Sequence, residues 1–258
     1  MTAKASKPTA VIPARYASSR FPGKPLALIA GKPMVQHVYE RCQESDAFDH
    51  IIVATDDARI EEAVRRFGGA VALTSPACAS GTDRVAQVAR STEANVYVNV
   101  QGDEPAIHPQ SLAALTQAFD DPLVEMATLV RPLAENERAN PHVVKAVVGA
   151  DGFALYFSRA DVPYVREEHP PLPLGEGKGE GRGNLRRFAH VGIYGYRRAT
   201  LLRLAALPPS PLELAESLEQ LRALENGIRI ACRPTSHRSV AVDRPEDIPA
   251  AEAFLQLQ

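Results

Sequence analysis

Between residues 10 and 120 short β-branched runs alternate with segments of helical spacing, and this rhythm restricts the possible folds more than any other property of the chain. The runs at 10–13, 51–55, 71–74 and 96–100 read as strands. The segments 33–44, 57–67, 82–90 and 109–119 read as helices, the last with Pro109 in its first turn, where a missing N–H costs no hydrogen bond. Strand and helix taking turns predicts an α/β fold: a mostly parallel sheet with helices on its faces, in three layers.

Beyond about residue 120 the rhythm loosens. Strands are expected at 125–131, 143–148, 154–158, 191–196 and 228–232, one long helix at 210–225, and a closing helix at 245–257. A single α/β domain with an elaborated second half follows, consistent with 258 residues. One stretch cannot bury side chains: from 170 to 184 prolines give way to glycine at every second position, Gly175 to Gly183. It predicts a mobile surface loop over about 168–185.

Composition narrows the partners. With 29 Lys+Arg against 31 Asp+Glu the net charge is -2, so the surface as a whole is no polycation for nucleic acid or anionic lipid, and any anion site is local. Cys42, Cys78 and Cys232 are odd in number and lack CxxC spacing, which fits a reducing cytoplasm and neither a disulfide framework nor a zinc site. No apolar run approaches the roughly 18 residues of a membrane span, and the first residues are polar, unlike a secretory leader.

Nucleotide motifs are informative by elimination. Gly23-Lys24, Gly31-Lys32 and Gly177-Lys178 all lack the earlier glycine and the following Ser or Thr of a Walker A loop, and no GxGxxG, GxSxG, HExxH or Cys/His cluster is present. What remains is the loop after the first strand, which spreads Arg15, Arg20 and Lys24 among the small residues Ala14, Ala17, Ser18, Ser19 and Gly23. At the carboxyl end of a parallel strand such a loop can wrap a triphosphate, with guanidinium forks on oxygens and lysine as a point charge. A solvated basic loop closed by Pro22-Gly23 accounts for the spacing equally well.

This segment resembles the signature of the sugar nucleotidyltransferases, and among them the 3-deoxy-manno-octulosonate (Kdo) cytidylyltransferases. The likeness continues in order through Ile51-Ile-Val-Ala-Thr-Asp56, Ser80-Gly-Thr-Asp-Arg84, Asn99-Val-Gln-Gly-Asp-Glu-Pro105, Ala154-Leu-Tyr-Phe-Ser-Arg159, His190-Val-Gly-Ile-Tyr-Gly-Tyr196, Ser210-Pro-Leu-Glu213 with Glu219-Gln-Leu-Arg222, and Val242-Asp-Arg-Pro-Glu-Asp247. It departs at Phe21, where leucine is usual, at Ala241, where glycine is common, and in the glycine repeat.

The resemblance implies a Rossmann-like fold of the nucleotide-diphospho-sugar transferase type, with about 9–120 binding CTP and about 121–258 binding sugar and forming a homodimer. It implies transfer of CMP from CTP to the anomeric hydroxyl of Kdo for lipopolysaccharide assembly, with Mg2+ on Asp103 and Asp243. Hard carboxylate oxygens suit that ion, although Asp243 also suits an N-cap and Asp103 a turn. CTP falls to Arg15, Arg20, Lys24, Thr55, Asp56, Ser80, Gly81, Thr82 and Gln101. Ser80 or Thr82 could instead cap the helix they open, and Asp56 the helix after it. Kdo falls to Gln101, Arg159, His190, Tyr194 and Glu213, with His190 and Arg159 open to purely structural roles and no general base assigned.

Overall fold

The computed structural model describes residues 6–18, 20–164, 166 and 187–256. The stretch at about 168–185, expected as a mobile loop, lies outside the described residues. In the first half the order is β1 (Thr9–Pro13), a small hairpin of β2 (Leu28–Ile29) and β3 (Lys32–Pro33), α1 (Met34–Glu44), β4 (His50–Thr55), α2 (Ala58–Arg66), β5 (Ala70–Leu73), α3 (Gly81–Ser91), β6 (Val96–Asn99) and α4 (Pro109–Gln117). The second half adds β7 (Met126–Pro132), β8 (Lys145–Val148), β9 (Ala154–Ser158), β10 (Phe188–Arg197), α5 (Arg198–Ala206), α6 (Pro211–Glu216), α7 (Gln220–Glu225), β11 (Ile230–Pro234) and α8 (Ile248–Leu255).

The main sheet runs β11-β7-β10-β6-β1-β4-β5. β1 lies parallel between β4 and β6, and β5 continues the parallel set beside β4. β10 is antiparallel to both β6 and β7, while β11 returns parallel to β7. β8 attaches to β10 and carries β9, which makes the sheet mixed, as expected. Strand alternation splits the core between its two faces. Ala10, Ile12, Val96 and Val98 pack with Val35, Ile60 and Leu112 of α1, α2 and α4. Val11 and Tyr97 pack on the other side with Val85, Leu201 and Leu221 of α3, α5 and α7.

Two expectations are corrected. The single helix at 210–225 is two, because Ser217 takes φ 52 and turns the chain between α6 and α7. In a straight helix residues nine apart stand about 13.5 Å apart along the axis, yet Arg222 Nε donates to Glu213 Oε2 at 2.7 Å across this corner. The corner also buries Leu218 and Leu221 and leaves Leu212 and Leu214 at the surface. The second correction is an addition: α5 was not anticipated, although Thr200, Leu201 and Leu204 supply a buried helical stripe.

Because β1, β4 and β6 are parallel, their carboxyl ends share one edge of the sheet, and the loops that follow β1 and β6 open over it.

Candidate active site

The loop after β1 is held shut by its own residues. Gly23 donates its N–H to Tyr16 O at 2.9 Å and takes φ 72, which few residues other than glycine adopt; a Cβ there would also meet the Tyr16 ring at 3.1 Å. The Tyr16 ring is covered in turn by the Arg59 guanidinium of α2, 3.3 Å from the ring centre. Thus braced, the loop presents Arg15, Arg20 and Lys24 to one cleft, whose far wall is Ser80, Gly81, Arg84 and the turn from Gln101 to Asp103.

That turn passes directly over β1. A Cβ on Gly102 would lie 2.7 Å from Pro13 O, so only glycine allows the approach. From the far end of the chain Val242, fully buried, donates its N–H to Asp103 O at 2.9 Å and sets Asp243 beside Asp103. The two carboxylates meet at one ammonium: Lys24 Nζ is 2.8 Å from Asp103 Oδ2 and 3.3 Å from Asp243 Oδ1, with Arg20 Nη1 3.1 Å from Asp243 Oδ2. Asp243 is no helix cap, since the backbone N–H groups of Asp243 and Arg244 are both accepted by Asp247 Oδ2 at 2.9 Å. Two carboxylates already gathered round a cation, in a cleft lined by phosphate-type cations, are a donor set that fits Mg2+, which takes one or two carboxylates and completes its shell with substrate oxygens.

Gln101 also lines a second cavity, shared with Glu104, Arg131, His190, Tyr194, Gln220 and Ser239. His190 Nε2 is 2.9 Å from Thr128 Oγ1, and its ring meets Phe157 edge-on with centroids 5.0 Å apart. Burial pushes its pKa down to about 3, so the imidazole is neutral at physiological pH, and burial likewise drives the Tyr194 phenol up. An unfolded histidine titrates near 6.5, so between about pH 6.5 and 3 the unfolded chain binds a proton that the folded chain refuses, and stability falls as pH falls through that window. At pH 5 this contribution amounts to at most about 2 kcal/mol. Urea titrations at pH 7 and pH 5 are expected to show that His190→Asn loses less stability on acidification than the wild type; equal losses would show that His190 takes up its proton in the native state.

A model of the cytidylyltransferase family matches residues 9–230. The 3-deoxy-manno-octulosonate cytidylyltransferase of Myxococcus xanthus is 55% identical over 248 residues, covering 96% of each chain, and that of Geobacter sulfurreducens is 50% identical, covering 93% of this chain and 96% of its own. The chain belongs to the 3-deoxy-manno-octulosonate cytidylyltransferase family. A solved CMP:2-keto-3-deoxy-manno-octonic acid synthetase, complexed with CTP, superposes with a TM-score of 0.86 at 44% identity over 98% of this chain and 99% of its own. A cytidylyltransferase from Leptospira borgpetersenii, 16% identical with a TM-score of 0.63 over 98% of this chain and 88% of its own, shares the fold.

In this cytidylyltransferase Arg15, Arg20, Lys24, Ser80, Gly81, Gln101, Asp103 and Asp243 come together, although Ser80 spends its N–H and hydroxyl in a capping box with Asp83. Gln101, His190 and Tyr194 share the second cavity. Five expected residues are placed elsewhere. Thr55 is fully buried, with its hydroxyl accepting from Asp57 N, and Asp57, not Asp56, caps α2. Asp56 instead pairs with Arg84 at 2.8 Å. Thr82 is turned into the core, where its hydroxyl engages Tyr196 and Glu219.

On the sugar side, the Arg159 guanidinium is committed to the carbonyls of Glu216, Pro141 and Ser217. Glu213 accepts from Ser210 N and Arg222 at the corner of α6 and α7; burial pushes its carboxyl up, but these two donors more than offset it and leave the pKa lowered. Ser210 and Glu213 thus form a capping box at the start of α6.

Sequence reasoning passed over Arg84, Arg131 and Gln220. Arg84 was visible as a charged residue on the apolar face of the helix that Val85, Val88 and Ala89 define, a position that demands a buried partner. Arg131 and Gln220 carried no such signal, since only the pairing of β7 with β10 and the corner before α7 bring them to the cavity.

Proposed function

We propose that this protein transfers CMP from CTP to the anomeric hydroxyl of Kdo and releases pyrophosphate. The single observation that carries this reading is the meeting of Asp103 and Asp243 at Lys24 Nζ, at 2.8 and 3.3 Å, beside a second cavity joined to the cleft by Gln101. Arg15, Arg20 and Lys24 bind and orient the triphosphate. The hydroxyl oxygen of Kdo attacks the α-phosphorus, the bond to the bridging oxygen breaks, pyrophosphate leaves with that electron pair, and the hydroxyl proton passes to solvent. Such a transfer depends on position and charge neutralisation far more than on covalent chemistry.

Asp103 and Asp243 would hold Mg2+, which, when bound, neutralises charge on the phosphate oxygens. Until then Lys24 offsets the repulsion between the two carboxylates; with nucleotide in place its ammonium is shared with phosphate oxygens a short distance away. Gln101, at the junction of the two cavities, orients the sugar towards the α-phosphorus, and neutral His190 offers a hydrogen bond rather than a base. The same reading carries a cytoplasmic enzyme and a homodimer. Three cysteines without disulfides and the absence among the described residues of a helix long and apolar enough to cross a membrane agree with the first. Leu155 of β9 and Leu214 of α6, 65% and 68% exposed, offer apolar surface for the second.

Pyrophosphate release measured with CTP, Mg2+ and a panel of 2-keto acid sugars is expected to require Kdo. Release with another sugar and none with Kdo would move the assignment to a cytidylyltransferase for that sugar.

A further inference from the structure

Three buried polar atoms of the second cavity have no well-aligned hydrogen-bond partner: Glu104 Oε2, Gln220 Nε2 and Ser239 Oγ. They come from separate segments, the turn after β6, the first residue of α7 and the chain after β11. Burial pushes the Glu104 carboxyl up, the Ser239 hydroxyl beside it pulls the other way, and the neighbouring Asp103 adds to the rise. Leaving a buried polar atom unpaired costs about 1–3 kcal/mol. Three in one cavity therefore point to partners that a ligand supplies.

Their chemistry selects the ligand. A carboxylate oxygen accepts, an amide nitrogen donates, and a serine hydroxyl does either. Neighbouring sugar hydroxyls, each both donor and acceptor, complete this set, whereas an ionised phosphate or carboxylate, which only accepts, offers the Glu104 oxygen no donor. Arg131, the cation in the same wall, is already engaged by Glu137 through two bonds of 2.7 Å. Position reinforces the argument: Glu104 directly follows Asp103, and Ser239 stands four residues before Asp243, so the two segments that supply the paired carboxylates also build this wall.

We propose that Glu104 and Ser239, together with Gln220, read hydroxyl groups of the sugar substrate and set its specificity. The inference rests on the sugar-side reading of this cavity given above. Steady-state pyrophosphate release by E104Q and S239A, with CTP and Kdo varied separately, tests it. The KM for Kdo is expected to rise about 10–100-fold in E104Q and about 3–10-fold in S239A, while the KM for CTP stays within about twofold. Among monodeoxy Kdo analogues, one is expected to be poor for the wild type and no poorer for E104Q relative to Kdo.

Wild-type KM values for Kdo in both variants, or equal rises for CTP and Kdo, would overturn the proposal. If E104Q fails to fold, S239A, which removes a single oxygen, decides through the same two KM values. A wild type inactive with Kdo refutes the proposed reaction instead. Calorimetric titration with polyhydroxylated 2-keto acids then reads the cavity directly: binding lost in the variants supports the role of Glu104 and Ser239, and binding unchanged or absent from the wild type overturns it.

Discussion

An Asp103→Asn variant is expected to turn over about 10²–10³-fold more slowly, the loss typical of removing one preorganised electrostatic contact to a transition state, while its folding stability changes by no more than about 1 kcal/mol. The asymmetry follows from geometry. Asp103 is 31% exposed at the cleft wall, and its partner Lys24 keeps Asp243 at 3.3 Å when Asp103 loses its charge. Folding therefore loses a partly hydrated ion pair whose net worth is small. Turnover loses one of two oxygens that would hold the metal against the phosphates. Pyrophosphate release across a Mg2+ titration, alongside urea unfolding, measures both quantities. Full turnover with an unshifted Mg2+ dependence would remove Asp103 from the metal site.

The largest effect on stability is expected at Arg84. This side chain is 5% exposed; Nη2 donates to Asp56 Oδ2 at 2.8 Å and Nη1 to Thr74 Oγ1 at 2.6 Å, so one guanidinium ties α3 to the ends of β4 and β5. Arg84→Met preserves much of the stem but leaves a poorly hydrated carboxylate without its partner. Breaking such a pair costs about 3–5 kcal/mol when both ions are buried. Asp56 retains 20% exposure, which lowers the expected loss to about 2–4 kcal/mol. Asp56→Asn is expected to lose a similar amount, and the double variant much less than the sum, because the pair is lost once. Urea midpoints decide the matter, and additive losses would show that the two residues act independently. Arg84 also lines the cleft, so the KM for CTP is expected to rise alongside.

Much of this molecule was legible in one dimension wherever the determinant is local. The spacing of apolar residues marked β1, α1, β4, α2, β5, α3, β6 and α4, though not the small hairpin of β2 and β3, since a strand or helix of some length declares its period within that length. The cleft was legible for a related reason: Arg15, Arg20 and Lys24 share one loop, and Gly102 and Asp103 share one turn. Legibility ended where a residue type has two equally good uses. Glu213 and Thr82 carry groups suited to a ligand, yet Glu213 closes a capping box and Thr82 serves the core. Asp56 and Asp57 are chemically alike, and only the extended backbone at Asp57, φ -120 with ψ 124, makes the second the cap.

By itself the sequence determined the layered α/β architecture, the clustering of three cations on the loop after β1 and the family, all of which are carried by short segments read in order along the chain. Tertiary structure alone decided that Lys24 stands between Asp103 and Asp243, 79 and 219 positions away. It alone broke the helix at Ser217 and gathered Glu104, Gln220 and Ser239 into one wall. The physical reason is that a charge or a hydrogen-bonding atom acts over a few ångströms of space, and its neighbours in space are chosen by the packing of the whole sheet rather than by the residues beside it.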